Sequence, residues 1–457
     1  MPPTTCGDLG VRVTRFQVVI MISPTQILII CLSLKLALDV YEYSKYQNGY
    51  TNIKTTVAAM SVAFTLYCGY YLLIRPVNIR RTLAHLGYDG LSQNQWASNE
   101  RMNMIKQAMK LKKKGQMPPV FPNGWISLIE SDQVKLEQVQ YVSALGEHFA
   151  VFRSKNGIIN ILDAYCPHLG SNMAFGGSVI GNSLQCPFHG WTFSGNNGKC
   201  VKIANSCSSV IPRVSVKKWI SCEENGFIFV WYHAEKEPPH WYPPKLINKN
   251  LLYRGRSEHY TNSHVQEIEE NGADLSHFSL LHKDAGVGGL YMSQVLKSIW
   301  NYVGHHEWKS SWKVSQNEIH KTELEIEHTF ELFNRFRVGE IIAKANQIGP
   351  GLVILNMKFS IGTISIIQVI TPVEPLIQKI VQHVYCPWQL SLFAPLVLKM
   401  ETIMLERDIV IWNHKTYVEK PLCTKEELTL LSYRQWFKQF YSENSPKFSF
   451  KKETMEW

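Results

Sequence analysis

Two short Cys-His pairs constrain this chain more than any other feature. Cys166-Pro167-His168 and Cys186-Pro187-Phe188-His189 are separated by 17 residues, and each is followed closely by a glycine, Gly170 and Gly190. With ten cysteines and 16 histidines in 457 residues, such a doubled arrangement rarely arises from composition alone. Two thiolates and two imidazoles can hold one tetrahedral zinc ion. The glycines suit tight loops at hairpin tips, where a positive φ is needed. Segments of period 2 bracket the pairs: residues 148–152 (HFAVF) and 158–162 (IINIL) before them, 226–231 (GFIFVW) after them. The other cysteines, at 6, 31, 68, 200, 207, 222, 386 and 423, have no regular spacing, which excludes a disulfide framework. They read as small buried hydrophobes.

Two hairpin loops presenting Cys-x-His and Cys-x-x-His resemble a Rieske [2Fe-2S] domain, in which thiolates bind one iron and imidazoles the other. Neutral imidazoles raise the potential above that of an all-cysteine cluster, as suits a one-electron relay. The resemblance covers about residues 119–234 and implies that Cys166, His168, Cys186 and His189 bind the cluster. Respiratory Rieske proteins add a disulfide between the two loops. Here the matching places hold Ser171 and Phe188, which points to the oxygenase or ferredoxin type.

The following 220 residues contain a second metal motif. In residues 271–282 (NGADLSHFSLLH), Asp274 and His277 fall one helical turn apart, whereas His277 and His282 are about 140° out of phase on a continuous helix. A bulge or helix end between them would let both imidazoles converge. The segment matches the Asp-x2-His-x4-His pattern of Rieske non-haem iron oxygenases. That resemblance implies a mononuclear Fe(2+) held by His277, His282 and a carboxylate on a late helix, leaving positions open for O2. Residues 396–414 have helical character, and Asp408 matches the family's carboxylate, with Glu401 and Glu406 as alternatives. Asp274 is not expected as a ligand. In the family it connects an iron ligand to a cluster histidine of the neighbouring subunit, here His277 and His189, which implies a head-to-tail ring, usually a homotrimer. The acidic run Glu267, Glu269 and Glu270 reads as a solvated face, and His259, His305 and His328 as surface or satisfied core residues.

Residues 322–332 alternate cleanly, and 352–359 and 362–370 are apolar and β-branched. Strands followed by a long helix fit the helix-grip fold of these oxygenases, a sheet wrapped on a helix around an apolar cavity.

The formal net charge is +10. Residues 75–114 carry nine basic and two acidic side chains, an excess that could serve nucleic acid or an anionic membrane surface. The uncharged run 57–74 (VAAMSVAFTLYCGYYLLI) directly before it decides for the membrane, since it has the length of a minimal spanning helix. An earlier apolar run, 18–38, contains Pro24 and Lys35 and is weaker. Arg12 and Arg15 before it, and Arg75, Arg80 and Arg81 after the second, favour a hairpin with both ends cytosolic. Nucleic acid is not expected as a partner.

The layout as a whole resembles the animal Neverland family of cholesterol 7-desaturases. The expected fold class is therefore α+β: a membrane anchor over 1–80, with one or two transmembrane helices, a basic linker over 81–118, an all-β Rieske domain over 119–236 and a helix-grip catalytic domain over 237–457. The resemblance implies a sterol substrate, O2, NAD(P)H electrons delivered through a separate reductase, and an endoplasmic-reticulum membrane with the catalytic domain cytosolic. A steroid hydroxylase and a tethered Rieske electron carrier are the other readings.

Overall fold

The computed structural model describes residues 75–81, 117–204, 213–247, 250–283, 302–333 and 335–447, together with isolated positions between 56 and 70. The chain divides into two units, Met1–Arg75 and Pro76–Trp457. In the first, the described positions between 56 and 70 are helical. The run 18–38 and most of 57–74 lie outside the described residues, and no helix among those described is long and apolar enough to cross a membrane.

The second unit is built mainly from strands. After β1 (Val77–Arg80) come β2 (Gly124–Glu130), β3 (Val139–Ala144), β4 (Glu147–Arg153), β5 (Ile159–Asp163), β6 (Ser178–Ile180), β7 (Ser183–Gln185), β8 (Thr192–Ser194), β9 (Cys200–Lys202), β10 (Lys218–Trp219), β11 (Ser221–Glu224) and β12 (Phe227–Tyr232). They form two antiparallel sheets, β10-β5-β4-β3 and β11-β12-β2, and a smaller sheet β6-β7-β8-β9 that carries the metal-binding loops. Phe149, Val151, Ile161, Ile126 and Ile228 fill the space between the first two, all fully buried.

A larger sheet follows, from β13 (Leu252–Thr261), β14 (Gly304–Val314), β15 (Lys321–Leu332), β16 (Phe336–Ile348), β17 (Leu352–Phe359), β18 (Gly362–Glu374) and β19 (Ile377–Cys386). Its order is β13-β19-β18-β17-β16-β15-β14, antiparallel throughout, with β1 added in parallel beside β13. Alternation decides its two faces. One carries Leu324, Ile326, Ala343, Met357, Ile364 and Val384 and packs on the 21-residue helix α3 (Ala394–His414). Two short helices, α1 (Val265–Glu270) and α2 (Leu275–Leu281), follow β13 directly, and α4 (Leu428–Phe437) closes the unit.

The other face of the large sheet packs on the β11-β12-β2 sheet. Trp125, Phe227, Phe229 and Trp231 share one core with Ile354, Ile367, Val369 and Val381. Within this dry layer, Arg256 donates two hydrogen bonds of 2.6 Å to Glu130, and His383 donates a third at 2.6 Å. Arg256 also contacts Glu258 and Asn78. Burial opposes ionisation of Glu130, but the hydrogen bonds and charges of His383 and Arg256 prevail and hold its pKa at about 2.

Candidate metal centres

The two Cys-His loops fold alike because the same backbone bonds close them. In the first, Cys166 N–H donates to Ser171 O at 2.8 Å and Gly170 N–H to Cys166 O at 2.9 Å. In the second, Cys186 N–H donates to Trp191 O at 2.7 Å and Gly190 N–H to Cys186 O at 3.1 Å. Gly170 and Gly190 have φ of 69° and 68°, a conformation that favours glycine. At Gly190 a side chain is also excluded by space, since a Cβ there would lie 2.4 Å from that of Ala204.

Both cysteines are buried while both histidines are exposed. The imidazoles of His168 and His189 stand edge to face with centroids 4.9 Å apart, and His168 stacks on Trp191 at 4.7 Å. Neither cysteine forms a disulfide. Burial, reinforced by the neighbouring Cys186, pushes the Cys166 thiol up to about 11, so a bound cation is what would hold it as thiolate. Two inner sulfurs and two outer imidazoles, drawn together by matched loops, fit a [2Fe-2S] cluster with cysteine and histidine on separate irons.

The second centre lies where α2 ends. Asp274 occupies the N-cap of α2 and His282 its C-cap, so the helix stops before it would carry His282 out of phase with His277. Ligand atoms of His277, His282 and Asp408 all lie within 4.8 Å of one another. His277 Nδ1 contacts the Asp274 carbonyl, which leaves Nε2 free to face the site. His282 Nε2 is 3.1 Å from Asp408 Oδ1, yet that oxygen is buried without any hydrogen bond. A buried carboxylate oxygen in that condition is costly unless a cation compensates it. The donor set, two imidazoles and one carboxylate grouped on one side, fits a mononuclear iron with open positions.

Neighbouring residues lock these elements together. Arg407, next to Asp408 on α3, donates to the Leu281 carbonyl at 3.3 Å, and Trp412 donates to Asn271 at 3.2 Å. Trp308 on β14 donates to the His282 carbonyl at 3.2 Å. Of the alternative carboxylates, Glu406 turns to Arg81 at 2.7 Å and to His259 at 3.6 Å. Glu401 is pushed up to about 7 by burial, with His282 drawing it down and Asp408 raising it. The Asp274 side chain accepts from Ser276 at 2.9 Å.

The acidic run before the site is not a solvated face. Glu267, Glu269 and Glu270 are all buried, because α1 is enclosed on every side. Glu267 caps the helix by accepting from His264 N–H at 3.0 Å, Glu269 accepts from Gln347, and Glu270 takes two hydrogen bonds from Arg434 at 2.9 and 3.0 Å. Sequence reasoning also missed the pair formed by His306 and His328. Burial, with help from its neighbours His328, Arg407 and His282, holds His306 down to about 3, and burial alone holds His328 at about 4. On the opposite face of β14 and β15, His305, Glu307 and Glu331 also converge, but Arg337 lies 3.6 Å from Glu307 and supplies its countercharge.

The family model for the Rieske [2Fe-2S] domain matches residues 124–218, and that for the 3-ketosteroid 9alpha-hydroxylase C-terminal domain matches 230–441. Among solved structures, Pseudomonas putida CBB5 NdmA shares the fold with a TM-score of 0.51 at 17% identity, over 69% of this chain and 89% of that one. Paired Cys-His loops on a small β-domain, packed against a sheet and helix that gather two histidines and a carboxylate, define a Rieske oxygenase, an enzyme that combines a [2Fe-2S] cluster with a mononuclear iron.

Within that class the sequence comparisons are specific. The chain is 36% identical over 412 residues to cholesterol 7-desaturase nvd of Xenopus laevis, covering 88% of this chain and 89% of that one. It is 38% identical over 403 residues to cholesterol 7-desaturase nvd of Drosophila melanogaster, covering 86% and 93%. The chain belongs to the cholesterol 7-desaturase nvd family.

Proposed function

We propose that this enzyme removes two hydrogens from ring B of a sterol, converting cholesterol to 7-dehydrocholesterol for steroid hormone synthesis. The overall balance consumes the sterol, O2, NAD(P)H and a proton, and yields the diene, NAD(P)+ and two waters. The observation that carries this reading is the convergence of His277, His282 and Asp408 in a chain more than a third identical to cholesterol 7-desaturases. In the proposal Cys166, His168, Cys186 and His189 hold the cluster, and His277, His282 and Asp408 hold the iron. When bound, the cluster supplies single electrons and the iron, with O2, supplies the oxidising power to break an unactivated C–H bond.

The chain's own residues do the rest. Arg407 and Trp308 fix the end of α2 so that His282 keeps its place. The apolar face of Leu324, Ile326, Ala343 and Met357 offers the sterol skeleton a dry surface. Asp274 serves as the link between His277 and His189 of the next copy in a head-to-tail trimer; its support is the exposure of the His168 and His189 rings. A separate reductase supplies the electrons. The residues before β1 tether the enzyme to the endoplasmic reticulum with the catalytic domain cytosolic, as supported by the uncharged run 57–74 and the basic segment after it. The domain limits 119–236 and 237–457 belong to the same reading.

The test is turnover. Membranes carrying the full-length protein, supplied with cholesterol, NADPH and a reductase, should yield a product lighter by two hydrogens in mass spectrometry. A product heavier by one oxygen would establish a hydroxylase instead.

A further inference from the structure

One end of the large sheet is apolar and the other is not. The antiparallel order puts the turns after β15 and β17 and the segment after β19 at the same end, where β13 begins. That end exposes Phe333, Phe336, Ile361, Trp388, Leu392 and Leu396. The turns at the opposite end, residues 315–320, 349–351 and 375–376, expose a single large apolar side chain, Ile319. The patch is densest between Trp388 and Met400, where 13 residues carry one charge, Lys399. Helix α3 starts there, and each of its faces repeats at an interval of four. Ala394 and Leu398 are fully buried against the sheet, whereas Leu396 and Met400 are exposed. A surface helix in water carries polar residues on its outer face. Here that face is apolar, and Trp388 and Leu392, just before the helix, are 73% and 61% exposed. The β17–β18 turn adjoins them, since Phe359 meets Phe393 edge to face at 5.3 Å.

What this surface meets is indicated by where the chain enters the unit. Val77, the first residue of β1, pairs with Gly255 and packs against the cluster that contains Leu390 and Ala394. Beside Gly255, Arg254 donates to the Ser391 carbonyl at 2.9 Å. Val77 follows Ile74, the last residue of the uncharged run 57–74, by three positions, a covalent reach of at most about 11 Å. A run inserted in a bilayer therefore brings the headgroup layer to the apolar end of the sheet and not to the other. Lys358 and Lys399, both exposed, flank the patch with positive charge suited to lipid phosphate. Met400 precedes Asp408 on α3 by about 12 Å along the helix axis.

We propose that the surface formed by Ile361, Trp388, Leu392 and Leu396 docks into the lipid bilayer, a membrane contact of the catalytic domain in addition to the N-terminal run. Docking brings the start of α3 to the lipid phase, so that a sterol reaches the iron site without crossing water. This rests on the membrane-tether reading above.

The test is photocrosslinking of the full-length chain in liposomes of phosphatidylcholine and phosphatidylserine. Under ultraviolet light, Leu392→p-benzoylphenylalanine should add the mass of a phospholipid to its own peptide, while Ile319→p-benzoylphenylalanine, at the opposite end of the sheet, should not. An unchanged Rieske EPR signal identifies folded variants. Should either fail to fold, dibrominated phosphatidylcholine decides: it should quench the tryptophan fluorescence of the wild type more than that of Trp388→Phe. Leu392→Glu should raise KM for cholesterol in the bilayer by roughly tenfold with kcat unchanged, and should leave KM as it is when enzyme and cholesterol share detergent micelles. A crosslink from position 392 to a second copy or to the chain itself in place of lipid, equal lipid labelling at both positions, equal quenching, or an unchanged bilayer KM would overturn the proposal alone. A full-length chain that does not float with the liposomes would overturn the tether reading and this proposal with it. A lipid adduct at position 392 without conversion of cholesterol by the wild type would uphold docking and overturn only the sterol reading.

Discussion

Replacing Glu130 by Gln tests how firmly the Rieske domain is fixed to the catalytic sheet. The side chain is almost fully enclosed, and its carboxylate receives three short hydrogen bonds, two from Arg256 and one from His383. A carboxylate moved from the ordinary 4.5 to about 2 favours the folded state by roughly 3 kcal/mol at neutral pH. Glutamine keeps the shape but abolishes the charge, so its cost should approach that figure, reduced by whatever Arg256 recovers from Glu258 and Asn78. The contribution depends on pH in a defined direction. Because the folded-state pKa is depressed, the stabilisation is fully present above about 4.5 and is lost as the pH falls through 2. The gap between wild type and Glu130→Gln should thus shrink from roughly 3 kcal/mol at pH 7 to about 1.5 kcal/mol at pH 3. Urea unfolding followed by tryptophan fluorescence, at equal m, measures the gap. A loss below about 1 kcal/mol at pH 7, or a gap that widens on acidification, would refute this account of the interface.

Further outcomes follow from the metal centres. Asp408→Ala should lose one of three irons per chain and all turnover while keeping the Rieske EPR signal; three irons retained by metal analysis would contradict the assignment. Cys186→Ala should lose both the signal and activity. Gly190→Ala combines a positive φ with a Cβ 2.4 Å from Ala204, so loop strain of about 1–3 kcal/mol should lower cluster content, read from the visible absorption per protein.

Much of the architecture was legible in the chain because local chemistry dictates it. Cys166, His168, Cys186 and His189 sit in loops whose glycines need positive φ, and the alternation of residues 322–332 matches the inner face of β15. The phase mismatch between His277 and His282 requires a break, and α2 ends at that point. The misreading of Glu267, Glu269 and Glu270 has a physical cause. Their partners, Lys415, Gln347 and Arg434, are 78 to 164 residues away, so nothing near the run reveals that it is enclosed. The same holds for Glu130, whose partners Arg256 and His383 lie 126 and 253 residues along. His306 and His328 look like isolated histidines until strand pairing brings them together across 22 positions.

The core shared by Trp125, Phe227, Phe229 and Trp231 with the large sheet has a practical consequence. Either half expressed alone would present this aromatic face to water, inviting aggregation. Fragment studies and chimaeras would therefore need to carry the whole seam, and exchanging the electron-relay module between relatives would require exchanging the matching strand faces β17, β18 and β19 as well.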